Sequence, residues 1–225
     1  MSGIAFAQTS EPSPTRLVVG RSVDQSLTFL MHIVVAIFAL MFFAPLMCLV
    51  AIAVYVQDGG PILFAHRRIG QNGRTFHCLK FRSMAVDAQE RLASLLAEDP
   101  AARAEWECDH KLRNDPRITP LGAFLRKTSL DELPQLFNVL CGDMSLVGPR
   151  PIVEAEVARY GHRFRDYCAV KPGITGLWQV SGRNDTSYRT RVALDSVYAR
   201  RRNLRLDVYI LAATLPAVLT RRGSY

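Results

Sequence analysis

The sequence predicts an α+β fold, mainly helical, in which an N-terminal membrane helix-break-helix precedes a compact domain with a small β-hairpin and interfacial amphipathic helices. Three observations carry this. From Leu27 to Val56 thirty residues run without a Lys, Arg, Asp or Glu, and about twenty such residues suffice to cross a bilayer. Two extended runs, Ile62 to Arg68 and Arg74 to Phe81, flank Gly70-Gln71-Asn72-Gly73, and Asn-Gly between extended runs is a strong hairpin signal. Beyond Phe81 the apolar residues recur at helical spacing.

In chain order, residues 1–26 read as a flexible N-terminal segment and 27–57 as the membrane segment. The apolar run is too long, and too poor in a small-residue cleavage site, for a secretory signal. Pro45 removes one i to i−4 hydrogen bond and kinks the helix. It divides the run into Leu27 to Ala44 and Leu46 to Val56, neither of which comfortably spans alone. A re-entrant helix broken at Pro45 would return both ends to one face of the membrane, whereas a kinked single pass would export the N-terminus, and the residues leave both open. Arg67, Arg68, Arg74, Lys80 and Arg82 follow the run, so the positive-inside bias puts its C-terminal side in the cytoplasm. Residues 58–225 then form the cytoplasmic domain.

Within that domain Gly59-Gly60-Pro61 is an exit turn, and Met84 to Leu112 reads as amphipathic helix interrupted at Pro100. Asn114 to Gly122 is turn chemistry. A short helix should follow Pro134, and Pro151 at a first helical position should open another toward Phe164. Asp185 or Thr186 can cap a helix running through Arg202. Leu204 to Thr220 is apolar but interrupted by Arg205, Asp207 and Pro216, and reads as an interfacial helix or as a core helix.

Composition narrows the function. The chain has 225 residues, 49% of them hydrophobic, enough for one real core, and its net charge is +8. A basic surface suits nucleic acid, an anionic leaflet or a phosphate-bearing substrate. No aromatic-interleaved basic platform is present, so nucleic acid is not the expected partner. The apolar anchor favours membrane lipids and phosphate. Five cysteines at 48, 78, 108, 141 and 168 are spaced for neither a disulfide framework nor a zinc site.

The most informative window is Ser129-Leu130-Asp131-Glu132-Leu133-Pro134-Gln135. Two adjacent carboxylates can supply a nucleophile and a hard-metal ligand together. Ser129 to Glu132 also reads as a capping box. Pro134 opposes that, because a helix capped at Ser129 would set its ring against the Leu130 carbonyl. A helix starting near Leu133 or Pro134 leaves Asp131 and Glu132 on the approach to its N-terminus. Around the pair lie Lys80-Phe81-Arg82-Ser83-Met84, Asp115-Pro116-Arg117-Ile118-Thr119 and Leu125-Arg126-Lys127-Thr128. Behind it come Gly142 to Pro151, ending Gly-Pro-Arg-Pro, and Lys171 to Arg183, which contains Gly176-Leu177-Trp178-Gln179-Val180-Ser181-Gly182-Arg183. Arg150, held between two prolines, is easily preorganised against a phosphate.

These windows, in this order, resemble the bacterial sugar transferase family of monotopic polyprenyl-phosphate phosphoglycosyl transferases, from the membrane run to the C-terminus. His66-Arg67-Arg68-Ile69-Gly70, Gly182-Arg183-Asn184-Asp185 and Arg222-Gly223-Ser224-Tyr225 are similar to the exopolysaccharide-initiating galactosyl-phosphate transferases. The resemblance implies transfer of a sugar 1-phosphate from a UDP-sugar to undecaprenyl phosphate with release of UMP, galactose being the expected sugar and glucose its competitor. It implies Asp131 as nucleophile, Glu132 as the residue holding Mg²⁺, and Lys80, Arg82, Arg126, Arg150 and Arg183 as phosphate-binding cations. It further implies a re-entrant break at Pro45, residence in the bacterial inner membrane with the catalytic domain facing the cytoplasm, downstream glycosyltransferases as partners, and a possible homodimer. The break often reads Ser-Pro in the family and is Ala44-Pro45 here. The competing expectation is a non-catalytic membrane scaffold in which Asp131 and Glu132 only cap a helix.

Overall fold

A computed structural model describes residues 18–109, 112, 114–182 and 186–219. The first element, α1 (Val18–Asp58), begins ahead of the apolar run and passes through Pro45 as one helix. The expected break is therefore not an interruption. Proline costs a single hydrogen bond at that point, and packing on either side of it outweighs the loss. Ala36 belongs to one core cluster with Phe76, Leu136, Met144 and Ile210, while Met47, Val50 and Val54 belong to a second with Phe81 and Leu125. Between and around these contacts a broad apolar face stays uncovered, with Phe38, Met41, Phe42 and Val56 each at least two-thirds exposed. Residues Ser26–Asp58 form the one stretch among the described residues long and apolar enough to cross a membrane.

The hairpin forms as the Asn-Gly signal predicts. β1 (Leu63–Ile69) pairs antiparallel with β2 (Thr75–Phe81), from Leu63 opposite Phe81 to Ile69 opposite Thr75. A 3-10 turn at Gln71–Gly73 closes it, with Asn72 in the left-handed region at φ 58°. Next come α2 (Ala88–Glu98) and α3 (Pro100–Asp109), separated at Pro100 as expected, with Asp99 Oδ1 accepting from the Ala101 and Ala102 amides.

The sequence reading missed α4 (Pro120–Thr128) by assigning its start to a turn. Its signal was present: Thr119 is the N-cap, its hydroxyl accepting from the Gly122 amide at 2.9 Å, and Pro120 opens the helix. A Cβ on Gly122 would lie 1.9 Å from the Ser83 carbonyl oxygen, so only glycine lets this helix rest on the end of β2. After the acidic window α5 (Gln135–Cys141) follows Pro134, as predicted.

A second pairing was also unforeseen. β3 (Ser145–Val147) runs parallel to β4 (Gly173–Thr175). Three residues each are too short to show alternation, and the pairing is non-local. A Cβ on Gly173 would sit 2.1 Å from the Gly148 nitrogen. Between these strands the expected helix from Pro151 to Phe164 is instead two short ones, α6 (Val157–Tyr160) and α7 (Phe164–Cys168), because Gly161 takes φ 51° and ends the first. The chain closes with α8 (Leu177–Val180), α9 (Tyr188–Arg201) and α10 (Leu204–Leu219). The cap of α9 is Ser187, accepting from the Thr190 amide, rather than Thr186. Asp185 lies outside the described residues. α10 combines both readings of its sequence: Ile210 and Asp207 are buried, whereas Val208 and Tyr209 are exposed.

A third cluster, Ile69, Ile152, Tyr160, Tyr167 and Val192, surrounds Asp195 of α9. One Asp195 oxygen accepts the Tyr160 hydroxyl at 2.7 Å and the other has no partner. Burial pushes this carboxyl up to about 7, and the Tyr160 hydrogen bond offsets only part of the rise. Folding then binds a proton that the unfolded chain releases near pH 4, so stability is lost as pH rises from about 4 to about 7 and levels off above. Asp195→Asn should abolish that slope and raise Tm at pH 8, measured by thermal melts across pH in detergent.

Candidate active site

The acidic window is shaped by its backbone. α4 ends at Ser129, held in the left-handed conformation at φ 58°, and Leu130–Glu132 form a single 3-10 turn. The Ser129 side chain makes no capping bond, so the capping-box alternative does not describe this segment. Pro134 serves as N-cap of α5 rather than its first residue. Asp131 is thereby turned inward, 7% exposed, and Glu132 follows it onto a pocket wall.

Lys80 from β2 meets both carboxylates. Its Nζ lies 2.6 Å from Glu132 Oε1 and 3.4 Å from Asp131 Oδ2. The strand that delivers it is fixed by Asn138 of α5, buried, whose Nδ2 donates to the His77 carbonyl at 2.8 Å while its Oδ1 accepts from the Leu79 amide at 2.9 Å. One side chain thus completes the outer edge of β2 and sets the distance between the lysine and the acidic turn.

The two acids are electrostatically unlike. Burial raises Asp131 above the usual carboxylate range, Lys80 only partly opposing it and Glu132 adding to it. Burial would raise Glu132 as well, but Lys80, Arg150 and Arg68 outweigh it and hold the group below its ordinary value. Burial thus disfavours the charged form of Asp131, while the surrounding cations favour that of Glu132.

A narrow pocket of about 20 Å³ opens beside them, walled by Arg68, Lys80, Glu132, Gln135, Arg150 and Gln179 among others. Arg150 is exposed, while Arg68 is fastened by the Pro151 carbonyl at 3.2 Å and Glu156 at 3.8 Å. Arg126 donates from Nε to the Ser83 hydroxyl at 2.8 Å, and its charge is felt by Asp131. Of the cations singled out in the sequence, Lys80, Arg126 and Arg150 therefore gather around the acids. Arg82 does not line this pocket. It is buried against α1, pairing with Asp58 and donating to the Val54 carbonyl at 3.3 Å. Arg183 lies outside the described residues.

Sequence reasoning passed over Arg68, Gln135 and Gln179 as site residues. Arg68 stood in a quoted motif and Gln179 in another, but nothing local showed that a hairpin strand, α5 and α8 converge. Among the described residues no three His, Cys, Asp or Glu side chains gather as a metal cage. The Glu132 carboxylate on the pocket wall nevertheless fits Mg²⁺, which is usually bound by one or two carboxylates with the rest of its shell drawn from water and substrate phosphate.

Residues 23–221 match the bacterial sugar transferase family. The chain belongs to that family. Within it, the chain is 57% identical to an undecaprenyl-phosphate galactose phosphotransferase of Salmonella typhimurium, over 86% of this chain and 40% of that protein. It is 50% identical to the exopolysaccharide production protein ExoY of Sinorhizobium fredii, over 86% and 85% respectively. A UDP-glucose:undecaprenyl-phosphate glucose-1-phosphate transferase of Xanthomonas campestris is 40% identical over 85% of this chain and 38% of its own. The chain spans about two fifths of the Salmonella relative, so the family's shared part is the segment that carries the carboxylates, Lys80 and the pocket.

Asn138→Ala should destabilise the fold by about 1–3 kcal/mol, since it takes away the partner of the part-buried Leu79 amide and of the His77 carbonyl together. Urea unfolding in detergent reads this directly, and an unchanged midpoint would remove Asn138 as the clamp on β2.

Proposed function

We propose that this protein transfers a sugar 1-phosphate from a UDP-sugar to undecaprenyl phosphate as the first membrane step of exopolysaccharide synthesis. The observation that carries the reading is the paired Asp131 and Glu132, bridged by Lys80 beside a pocket lined with arginine. Adjacent to it runs an apolar helix suited to the depth of a polyprenyl phosphate headgroup. The galactose name of the relative at 57% identity, against the glucose name at 40%, favours galactose.

Phosphoryl-type transfer depends on positioning and charge neutralisation more than on acid-base machinery. An Asp131 oxygen attacks the β-phosphorus, the bond from that phosphorus to the bridging oxygen breaks, and UMP leaves. A phosphate oxygen of the lipid then attacks the same phosphorus, displacing Asp131 and completing the diphosphate. Arg68 and Arg150 hold the equatorial oxygens, and Arg126 and Lys80 offset charge as Asp131 is released and re-formed. Mg²⁺, held by Glu132 together with substrate phosphates, would supply further charge withdrawal from phosphorus.

Stretches of α1 on either side of Pro45 pack on the same globular body, Phe29 and His32 before it and Val54 and Asp58 after it. This supports a re-entrant placement, with the exposed Phe38, Met41 and Phe42 at the deepest point beside Pro45 and the catalytic domain on the cytoplasmic face of the inner membrane. A bilayer separating the two ends would pull one set of contacts apart.

Incubation with undecaprenyl phosphate, Mg²⁺ and a panel of UDP-sugars should release UMP from one donor, and Asp131→Asn should lower the rate at least a thousandfold. The same variant should melt at an equal or higher temperature, because it removes a buried carboxylate that costs stability above its unfolded pKa. No UMP from any donor with folded protein would sink the assignment. The acid limb of the rate profile should lie above the usual aspartate range, because protonated Asp131 cannot attack and burial raises its pKa.

A further inference from the structure

A second cavity lies away from the acidic pair and shares no lining residue with its pocket. It measures about 180 Å³ and opens where the start of α1 meets β3 and the turn between α9 and α10. A buried water needs only about 10–15 Å³, so this space is far larger than a bridging water requires.

Its floor is polar and committed. His32, the one histidine of the apolar run, is 3% exposed and faces inward, where Nε2 lies 3.1 Å from Asp207 Oδ2 and Nδ1 bonds the Ser145 hydroxyl. The Tyr198 hydroxyl is 2.9 Å from Asp207 Oδ1 and 3.0 Å from the Val147 carbonyl. The Asp207 carboxylate is therefore engaged by His32 and Tyr198. Two cations remain at the walls. Lys171 sits with its ammonium 4.9 Å from the Phe29 ring centre, and burial lowers its pKa. Arg202 is exposed and is followed by Arg205 at the second position of α10.

The rim is apolar. Leu27, Phe29 and Leu30 of α1 are each about half exposed or more, and they belong to the stretch that suits lipid. A basic pocket rimmed by lipid-facing side chains on the cytoplasmic side of a membrane helix is the arrangement that takes an acidic lipid headgroup. A soluble anion would use the cations and leave the apolar rim idle.

We propose that this cavity binds the phosphate headgroup of an anionic membrane phospholipid, clamped by Lys171 and Arg202, with its acyl chains lying along Leu27 and Leu30 of α1. The bound lipid ties the entry of α1 to β3 and α10, so bilayer composition sets how firmly the anchor is docked. The inference requires α1 to lie in a bilayer, but not the transfer reaction.

The test uses delipidated full-length protein in neutral detergent, with thermal melts and native mass spectrometry. Phosphatidylglycerol, phosphatidylcholine and inorganic phosphate are the three probes. Phosphatidylglycerol alone should raise Tm and be retained as an adduct. Lys171→Gln combined with Arg202→Gln should weaken that binding roughly 10- to 30-fold, while Lys171→Arg combined with Arg202→Lys restores it. Asp131→Asn should keep the lipid, so failure of the transfer assignment and failure of this site are read separately. Equal stabilisation by phosphatidylcholine, equal stabilisation by inorganic phosphate, or full retention in the double glutamine variant would each overturn the proposal.

Discussion

One lysine between two carboxylates organises this molecule. Lys80 reaches Glu132 and Asp131 from a strand that is local in sequence, whereas the acids come from a turn some fifty residues later. Bringing them together demands that β2, the end of α4 and the start of α5 share one surface. Asn138 on α5 meets that demand at the middle of the strand, and the bare backbone of Gly122 on α4 meets it just past the strand's end at Ser83. Removing the lysine would leave two acids side by side in a poorly solvated turn, and like charges that close oppose each other. The site and the packing around it are thus one constraint, with the charge balance dictating how tightly the elements approach.

The anchor helix is bound into that arrangement. α1 contributes to two of the three core clusters, and its polar contacts at either end, His32 with Asp207 and Asp58 with Arg82, fix where the clusters sit. Arg82 illustrates how a cation can be correctly noticed and differently employed. Two residues from Lys80 in the sequence, it holds the helix instead of facing the pocket.

Local chemistry was the part of the fold legible in the sequence. The hairpin followed from Asn72-Gly73, the α2–α3 division from Pro100, and α5 from Pro134. α4 was missed because Thr119-Pro120 reads equally as a turn and as a cap followed by a first helical residue. The β3–β4 pair left no trace because three-residue strands carry no periodicity. In the site, Asp131, Glu132, Lys80, Arg126 and Arg150 were visible as residue types in motifs. Arg68 and the two glutamines stood in quoted windows but were not picked out as site residues, since what makes them part of a pocket is long-range convergence and not spacing. The continuity of α1 through Pro45 is the same lesson reversed, a local rule outweighed by packing on both flanks.

The division of α1 between two cores bears on how the chain is made. Ala36 completes its cluster only when Ile210 arrives, and Val54 needs Phe81 and Leu125. The helix precedes all of these partners in the chain, so its contacts with both clusters are non-local, the kind of contact that is slow to close. A chain stripped of this helix would present the vacated faces of both clusters to water. Burial of the two packing faces of α1 therefore waits on the last-made parts of the chain.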